Sequence, residues 1–226
     1  MRVLVTGATG YVGGRLVPRL LDEGHEVRVL VRRSADRLQG RSWSDDVEIV
    51  VGDVTDADSL RGAMTGTEAA FYLIHSMSDR SDFRDREARL AEQFARCAED
   101  AELERIIYLG GLGDPDSDLS EHLRSRHETG ERLRSGSVPV TEFRAAVIVG
   151  SGSASFEMIR HLTERIPVMI CPRWVFTRVQ PIAVDDVLTY LVRALDRPAS
   201  RGRIVQIGGR DVLTYGDMMT EYAEER

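Results

Sequence analysis

The order of segments in this chain predicts an α/β fold, a doubly wound parallel sheet carrying a small C-terminal lobe. Three observations predict it. Short runs rich in Val, Ile and Leu alternate with helical patterns from Arg2 to Gly150. Those runs are apolar almost without a break, as strands covered on both faces are. The first of them ends in a glycine-rich turn that opens a helix.

Each element has a local reason. RVLVTG, from Arg2 to Gly7, is a β-branched run closed by glycine and reads as a buried strand. From Tyr11 to Glu23 the residues Val12, Leu16, Leu20 and Leu21 recur on one helical face, and Gly24 ends the pattern. Pro18 lies inside it and should cost a hydrogen bond or a kink. HEVRVLVR and VEIVVGD give the second and third strands, and Asp56 starts a short helix through Leu60. EAAFYLIH gives the fourth strand, and a long helix follows from Phe83 to Asp100. ERIIYLG is the fifth strand, EHLRSRHETGERLR the next helix, and VTEFRAAVIVG the sixth strand. These predict one domain over residues 1–150 and a lobe over 151–226 that interleaves with it. In the lobe SASFEMIRHLTERI reads as helix and VMICPRWVFTRVQPI as irregular, and Asp185 or Asp186 begins a helix in VDDVLTYLVRAL. RIVQIGG reads as a strand, and a last helix begins at Thr214. That helix runs to the final residue without a cap, which carries the expectation of a chain continuing past Arg226.

Bulk composition narrows the function. The 226 residues are 42% hydrophobic and 30% charged, with a net charge of −7. The positive charge is arginine spread along the chain, so nucleic acid is excluded as a general partner. No apolar run approaches the roughly 20 residues that span a bilayer. Cys97 and Cys171 fit neither a disulfide framework nor a metal site, and a reducing cytoplasm is the expected compartment. Cys97 reads as a small buried residue. No signal-peptide pattern precedes the first strand.

TGATGYVGG places Gly7, Gly10 and Gly13 at G-x-x-G-x-x-G spacing between a strand and a helix. The first glycine makes the tight turn, the second lets backbone approach a diphosphate, and the third lets helix pack on strand. The N–H groups at the start of that helix attract the phosphates. Dinucleotide binding follows, with Thr9, Tyr11 and Val12 in the same loop. The second strand ends in VLVRRS, where an acidic residue would favour NAD. Arg32 and Arg33 stand there instead and suit a ribose 2′-phosphate, so NADP is expected over NAD. In GDVTD, Asp53 either accepts from the adenine amino group, with Val54 against the ring, or caps the helix begun near Asp56. Ile74 and His75 end the fourth strand, on the crevice side of a doubly wound sheet.

Taken with YLGG after the fifth strand, FRAAVIVG on the sixth and QPIAVDDV beyond, these motifs resemble the extended and atypical short-chain dehydrogenase/reductase superfamily. The nearest likeness is to its NmrA-like, nucleoside-diphosphate-sugar-epimerase-like group, a Rossmann fold. The resemblance implies a Tyr and a Lys on the helix after the fifth strand, as Y-x-x-S-K, with a Ser or Thr just after that strand. In this chain His122 takes the Tyr position and Arg126 the Lys position. Gly110 and Gly111 stand where the Ser or Thr would be. Arg126 could still hold the nicotinamide ribose, but it is a poor proton shuttle. His122 titrates near neutral pH and could move a proton, or it could be only a solvated helix residue. The resemblance also implies that the lobe builds the substrate pocket. Phe156, Met158, Ile159, Met169, Trp174 and Phe176 are then candidate apolar lining, and Arg160, Arg173 and Arg178 candidate anion contacts. Two functions are implied. One is an oxidoreductase moving hydride between NADP(H) and a small or apolar substrate. The other is a non-catalytic NADP(H) sensor or assembly factor with a protein partner.

Overall fold

The computed structural model describes residues 1–74, 83–113, 119–165 and 172–225. The first part of the chain alternates β1 (Arg2–Thr6), α1 (Gly13–Asp22), β2 (Glu26–Val31), β3 (Glu48–Val51) and α2 (Ala57–Met64). It continues through β4 (Ala69–Tyr72), α3 (Phe83–Asp100), β5 (Arg105–Gly111), α4 (Glu121–Arg134) and β6 (Val140–Ala145). The remainder holds β7 (Ile148–Val149), α5 (Ala154–Arg165), β8 (Arg178–Val179) and β9 (Ile182–Ala183). It ends with α6 (Val184–Arg193), β10 (Ile204–Ile207), β11 (Leu213–Thr214) and α7 (Tyr215–Glu224).

The main sheet has seven strands in the order β10-β6-β5-β4-β1-β2-β3, every pair parallel. The order reverses between β1 and β4, which opens a crevice at their C-terminal ends. Alternation within strands feeds two cores. Val3 and Val5 of β1 join Phe71, Ile107 and Leu109 on the face covered by α1 and α6. Leu4 joins Ala70, Tyr72 and Ile106 on the face covered by α2 and α3. Both sets are buried, which is why these strands read as unbroken apolar runs. Each fully buried aliphatic or Phe side chain contributes roughly 1.5–3 kcal/mol.

Four expectations change in the structure. The third strand is shorter than VEIVVGD and only partly covered, because it is the sheet edge, and Val51 is 53% exposed. VTEFRAAVIVG is not one strand. β6 stops at Ala145, whose partner Gly111 is the last residue of β5, and β7 turns off to pair with β9. The helix after Asp56 runs past Leu60 to Met64, since Ala63 and Met64 also enter the core. Its cap is as expected, with the Asp56 carboxylate accepting from the N–H groups of Asp58 and Ser59. The helix in VDDV begins at Val184, and Asp185 does not cap it. Asp185 lies in the first turn and pairs with Arg19 at 2.7 Å.

Pro18 is accommodated from outside its helix. A residue at 18 would ordinarily donate to the carbonyl of Gly14. That carbonyl instead accepts the indole N–H of buried Trp43 at 3.1 Å. Cys97 is buried, and Cys171 lies outside the described residues. β10 extends the main sheet beyond β6, while α5 and α7 close a separate small core of Ile159, Met218 and Met219. Thr214 and Asp217 cap α7 reciprocally.

Candidate functional site

The glycine loop has the geometry its spacing predicts. Gly7 sits at φ 82°, and a Cβ there would come within 2.6 Å of the Leu73 carbonyl oxygen. The Gly10 N–H closes the turn on the Gly7 carbonyl at 2.9 Å. A Cβ on Gly13 would overlap that same carbonyl, so only glycine lets α1 start this close to β1. Val12 at the N-cap makes no side-chain cap, and while the Gly14 and Arg15 N–H groups bond the Gly10 and Val12 carbonyls, those of Val12 and Gly13 are left to a ligand. Bare backbone, an uncapped helix start and close approach together fit a dinucleotide diphosphate.

The loop's neighbours are basic. β2 lies beside β1 with Leu30 opposite Thr6, so the residues following β2 stand next to the loop. Arg32 and Arg33 are exposed there. The Ser34 N–H donates to the Arg32 carbonyl at 3.1 Å across Arg33, which holds a left-handed φ of 78°. Such a conformation costs about 1–3 kcal/mol and recurs at ligand sites. Arg41, which sequence reasoning missed, lies over the loop. One of its nitrogens is within 3.4 Å of the Thr9 carbonyl, and another would be 2.7 Å from a Cβ on Gly14. Among the described residues none of these three arginines has a carboxylate partner. Beside β2, the GDVTD loop is held by the Gly52 N–H on the Val31 carbonyl. Asp53 does not cap α2. One of its oxygens accepts from both the N–H and the hydroxyl of Thr55 at 2.9 Å. Val54 packs, partly buried, against the second core.

At the crevice the chain encloses a cavity of about 690 Å³. Gly7, Gly10, Tyr11, Val12 and Gly13 form one wall, and Ile74 borders it. His75 lies outside the described residues. Gly110, Gly111, His122, Leu123 and Arg126 form a second wall, so the helix after β5 does face the crevice. Arg126 donates to the Leu109 carbonyl at 2.7 Å, and its own carbonyl accepts the Tyr108 hydroxyl at 2.9 Å. His122 stands at the exposed rim. Burial, and then the Arg126 charge, hold its imidazole below the usual histidine range.

The missing Ser has a packing reason. A Cβ at Gly111 would be 2.6 Å from a Leu123 methyl, so the Leu123 side chain occupies that space and would have to turn aside for a serine. Gly110 and Gly130 make room for Glu142, which is fully buried between Arg144, at 2.7 Å, and Arg134. His127, one residue past Arg126, is also buried, and its Nε2 donates to the Gly111 carbonyl at 3.1 Å. Among the described residues its Nδ1 has no partner, and burial pushes its pKa down.

The lobe supplies the third wall, with different residues from those expected. Ser153, Ala154, Ser155, Val179 and Tyr215 line the cavity. Ile159 is buried in the lobe's own core, and Phe156 meets Tyr222 edge-on at 5.8 Å. Met158, Trp174 and Phe176 are exposed away from the cavity, and Met169 lies outside the described residues. Arg160 is neutralised by Glu157 at 2.6 Å and Glu164 at 3.4 Å, while Arg173 and Arg178 are exposed. No helix among the described residues is long and apolar enough to cross a membrane.

Comparison with known proteins agrees with this geometry. Residues 7–138 match the model of a family described as NAD(P)H-binding. The chain is 29% identical over 217 residues to an Arabidopsis thaliana protein named NADH dehydrogenase [ubiquinone] 1 alpha subcomplex subunit 9, mitochondrial. That match covers 93% of the chain and 54% of the relative, so the chain spans about half of that protein's length. It is 28% identical, over 94% of its length and 69% of the relative, to a Streptomyces griseus (4-alkanoyl-5-oxo-2,5-dihydrofuran-3-yl)methyl phosphate reductase. In fold it is similar to a triphenylmethane reductase from Citrobacter sp. complexed with NADP(H), at a TM-score of 0.81. That likeness covers all of this chain and 76% of the other, at 18% identity. With more than half of its residues in the family match, the chain belongs to the NAD(P)H-binding family.

Proposed function

We propose that the chain binds NADP(H) in preference to NAD(H) and is an oxidoreductase for a small or apolar substrate, acting without the Tyr–Lys–Ser set. The observation that carries this reading is the cavity shared by the glycine loop, α4 and the lobe. Bound nicotinamide supplies or accepts hydride. The chain binds, orients and excludes water. The glycine loop and the start of α1 hold the diphosphate, and Arg32, Arg33 and Arg41 hold the 2′-phosphate by charge-assisted bonds. Arg126 would hold the ribose and offset any negative charge that grows on the acceptor. Leu73, Ile74, Leu112, Leu123 and Val147 keep the reacting end dry. His122, at the rim, exchanges protons with solvent.

Mixing the protein with NADPH and aldehydes, ketones, enones and quinones tests the activity. NADPH oxidation with at least one class is expected. None with any class, in protein that binds NADPH, overturns the reading. Turnover that survives His122→Ala removes that residue from the chemistry.

A second reading is favoured by one observation, the Leu123 methyl occupying the space beside Gly111, one of the two glycines standing where the resemblance implies a Ser or Thr. The chain would then bind NADP(H) without turnover and report its redox state to a protein partner. Partner capture that differs between NADPH and NADP⁺ supports it, and capture indifferent to both counts against it.

A further inference from the structure

We propose that the acceptor is an apolar molecule with a carbonyl oxygen, and that the lobe grips this oxygen through the hydroxyls of Tyr215 and Ser155. The inference deepens the oxidoreductase reading and rests on it for the cavity being the acceptor site. The sheet side of the cavity cannot offer a hydroxyl. Its wall there is Gly110, Gly111 and Leu123, and a side chain at Gly111 would meet the Leu123 methyl. The polar groups of α4 in the cavity are the imidazole of His122 and the guanidinium of Arg126, which is engaged with the Leu109 carbonyl.

The opposite wall carries three residues with side-chain hydroxyls: Ser153, Ser155 and Tyr215. Ser153 is set back from the cavity, being 4% exposed, with its oxygen accepting the Phe156 N–H at 3.1 Å. Among the described residues the hydroxyls of Ser155 and Tyr215 have no hydrogen-bond partner. An unmatched hydroxyl on a mainly apolar wall is a recognition group, since ligand sites pair apolar lining with a few placed polar atoms.

Tyr215 is also held in place. It is the first residue of α7, directly after the reciprocal Thr214–Asp217 cap. Its ring meets Trp174 edge-on, with centroids 5.4 Å apart and planes at 81°. This gives a purpose to Trp174, which is 40% exposed and does not line the cavity. Burial pushes the Tyr215 phenol above its ordinary range, so it remains a donor at neutral pH. The surrounding Leu73, Ile74, Leu112, Val147, Ile148 and Val179 suit an aryl or alkyl body rather than a sugar.

Two probes of closely matched shape test the grip, naphthaldehyde and vinylnaphthalene, titrated into protein saturated with NADP⁺. The wild type is expected to hold the aldehyde about two- to tenfold more tightly, the size of one net hydrogen bond. Tyr215→Phe and Ser155→Ala should each shrink that ratio, with unchanged NADP⁺ affinity and unchanged melting temperature. Equal affinities in the wild type, a ratio untouched by both substitutions, or no binding of either probe overturns the proposal. NADPH consumption with naphthaldehyde is read in parallel. A ratio that collapses in the variants without any consumption leaves the grip standing and counts against the oxidoreductase reading alone.

Discussion

Replacing Trp43 by Phe should cost more than its lost contacts, because it strands a buried acceptor. Gly14 lies buried in the first turn of α1 and Pro18 cannot donate to it, so the Trp43 indole is its hydrogen-bond donor across 3.1 Å. Losing the partner of a buried carbonyl costs about 1–3 kcal/mol. Phe keeps most of the ring volume, so the packing loss adds little more than about 1 kcal/mol. For a chain of this size each kcal/mol lowers Tm by about 2–4 °C, which puts the expected drop at roughly 4–16 °C. Urea unfolding followed by far-UV circular dichroism gives the free energy directly. Pro18→Ala completes the cycle. It restores a helical N–H four residues after Gly14, so it should rescue the Trp43→Phe variant by about 1 kcal/mol more than it stabilises the wild type. Additive effects within about 0.3 kcal/mol would refute the idea that Trp43 substitutes for the missing proline N–H.

Gly13→Ala should abolish binding of NADPH by calorimetry, since its Cβ meets the Gly7 carbonyl and forces α1 off the loop; retained affinity would sink the cradle geometry. Arg41→Ala should weaken NADPH about tenfold or more and leave NADH unchanged, and equal losses for both would place Arg41 away from the 2′-phosphate. Stability should fall as pH drops through about 6.5, because His25 and His127 are buried with depressed pKa values and the unfolded chain takes up their protons first. His25→Leu should flatten that slope in urea titrations from neutral to mildly acidic pH, as among the described residues neither ring nitrogen of His25 has a partner to lose. Arg126→Gln should raise the His122 pKa in an NMR titration, since removing the nearby cation favours the imidazolium.

Several features were legible because they are local. The glycine spacing needs only a turn and a close approach, and both appear at Gly7 and Gly13. The i, i+4 spacing of His122 and Arg126 puts both on one helix face, and both line the cavity. The lobe was misread for the opposite reason. Phe156, Ile159 and Trp174 have the composition of a pocket, yet α5 and α7 use them against each other and against Tyr215. Arg41 was invisible because it is distant in sequence from the loop that it covers. Asp53 does not cap the helix but makes a turn with Thr55 through one of its oxygens, a local use that neither expected role included and that does not bear on the adenine role.

By itself the sequence determined the alternation of strand and helix, the parallel sheet and the diphosphate cradle. Periodicity and glycine placement act over a few residues, and burial on both faces leaves no other way to satisfy them. Only the tertiary structure decided what surrounds the reacting end of the crevice. It set Leu123 against Gly111, placed Glu142 between two arginines and brought Tyr215 across from α4. Those contacts join residues far apart in the chain through close packing, and no local pattern encodes which distant side chain fills a given space.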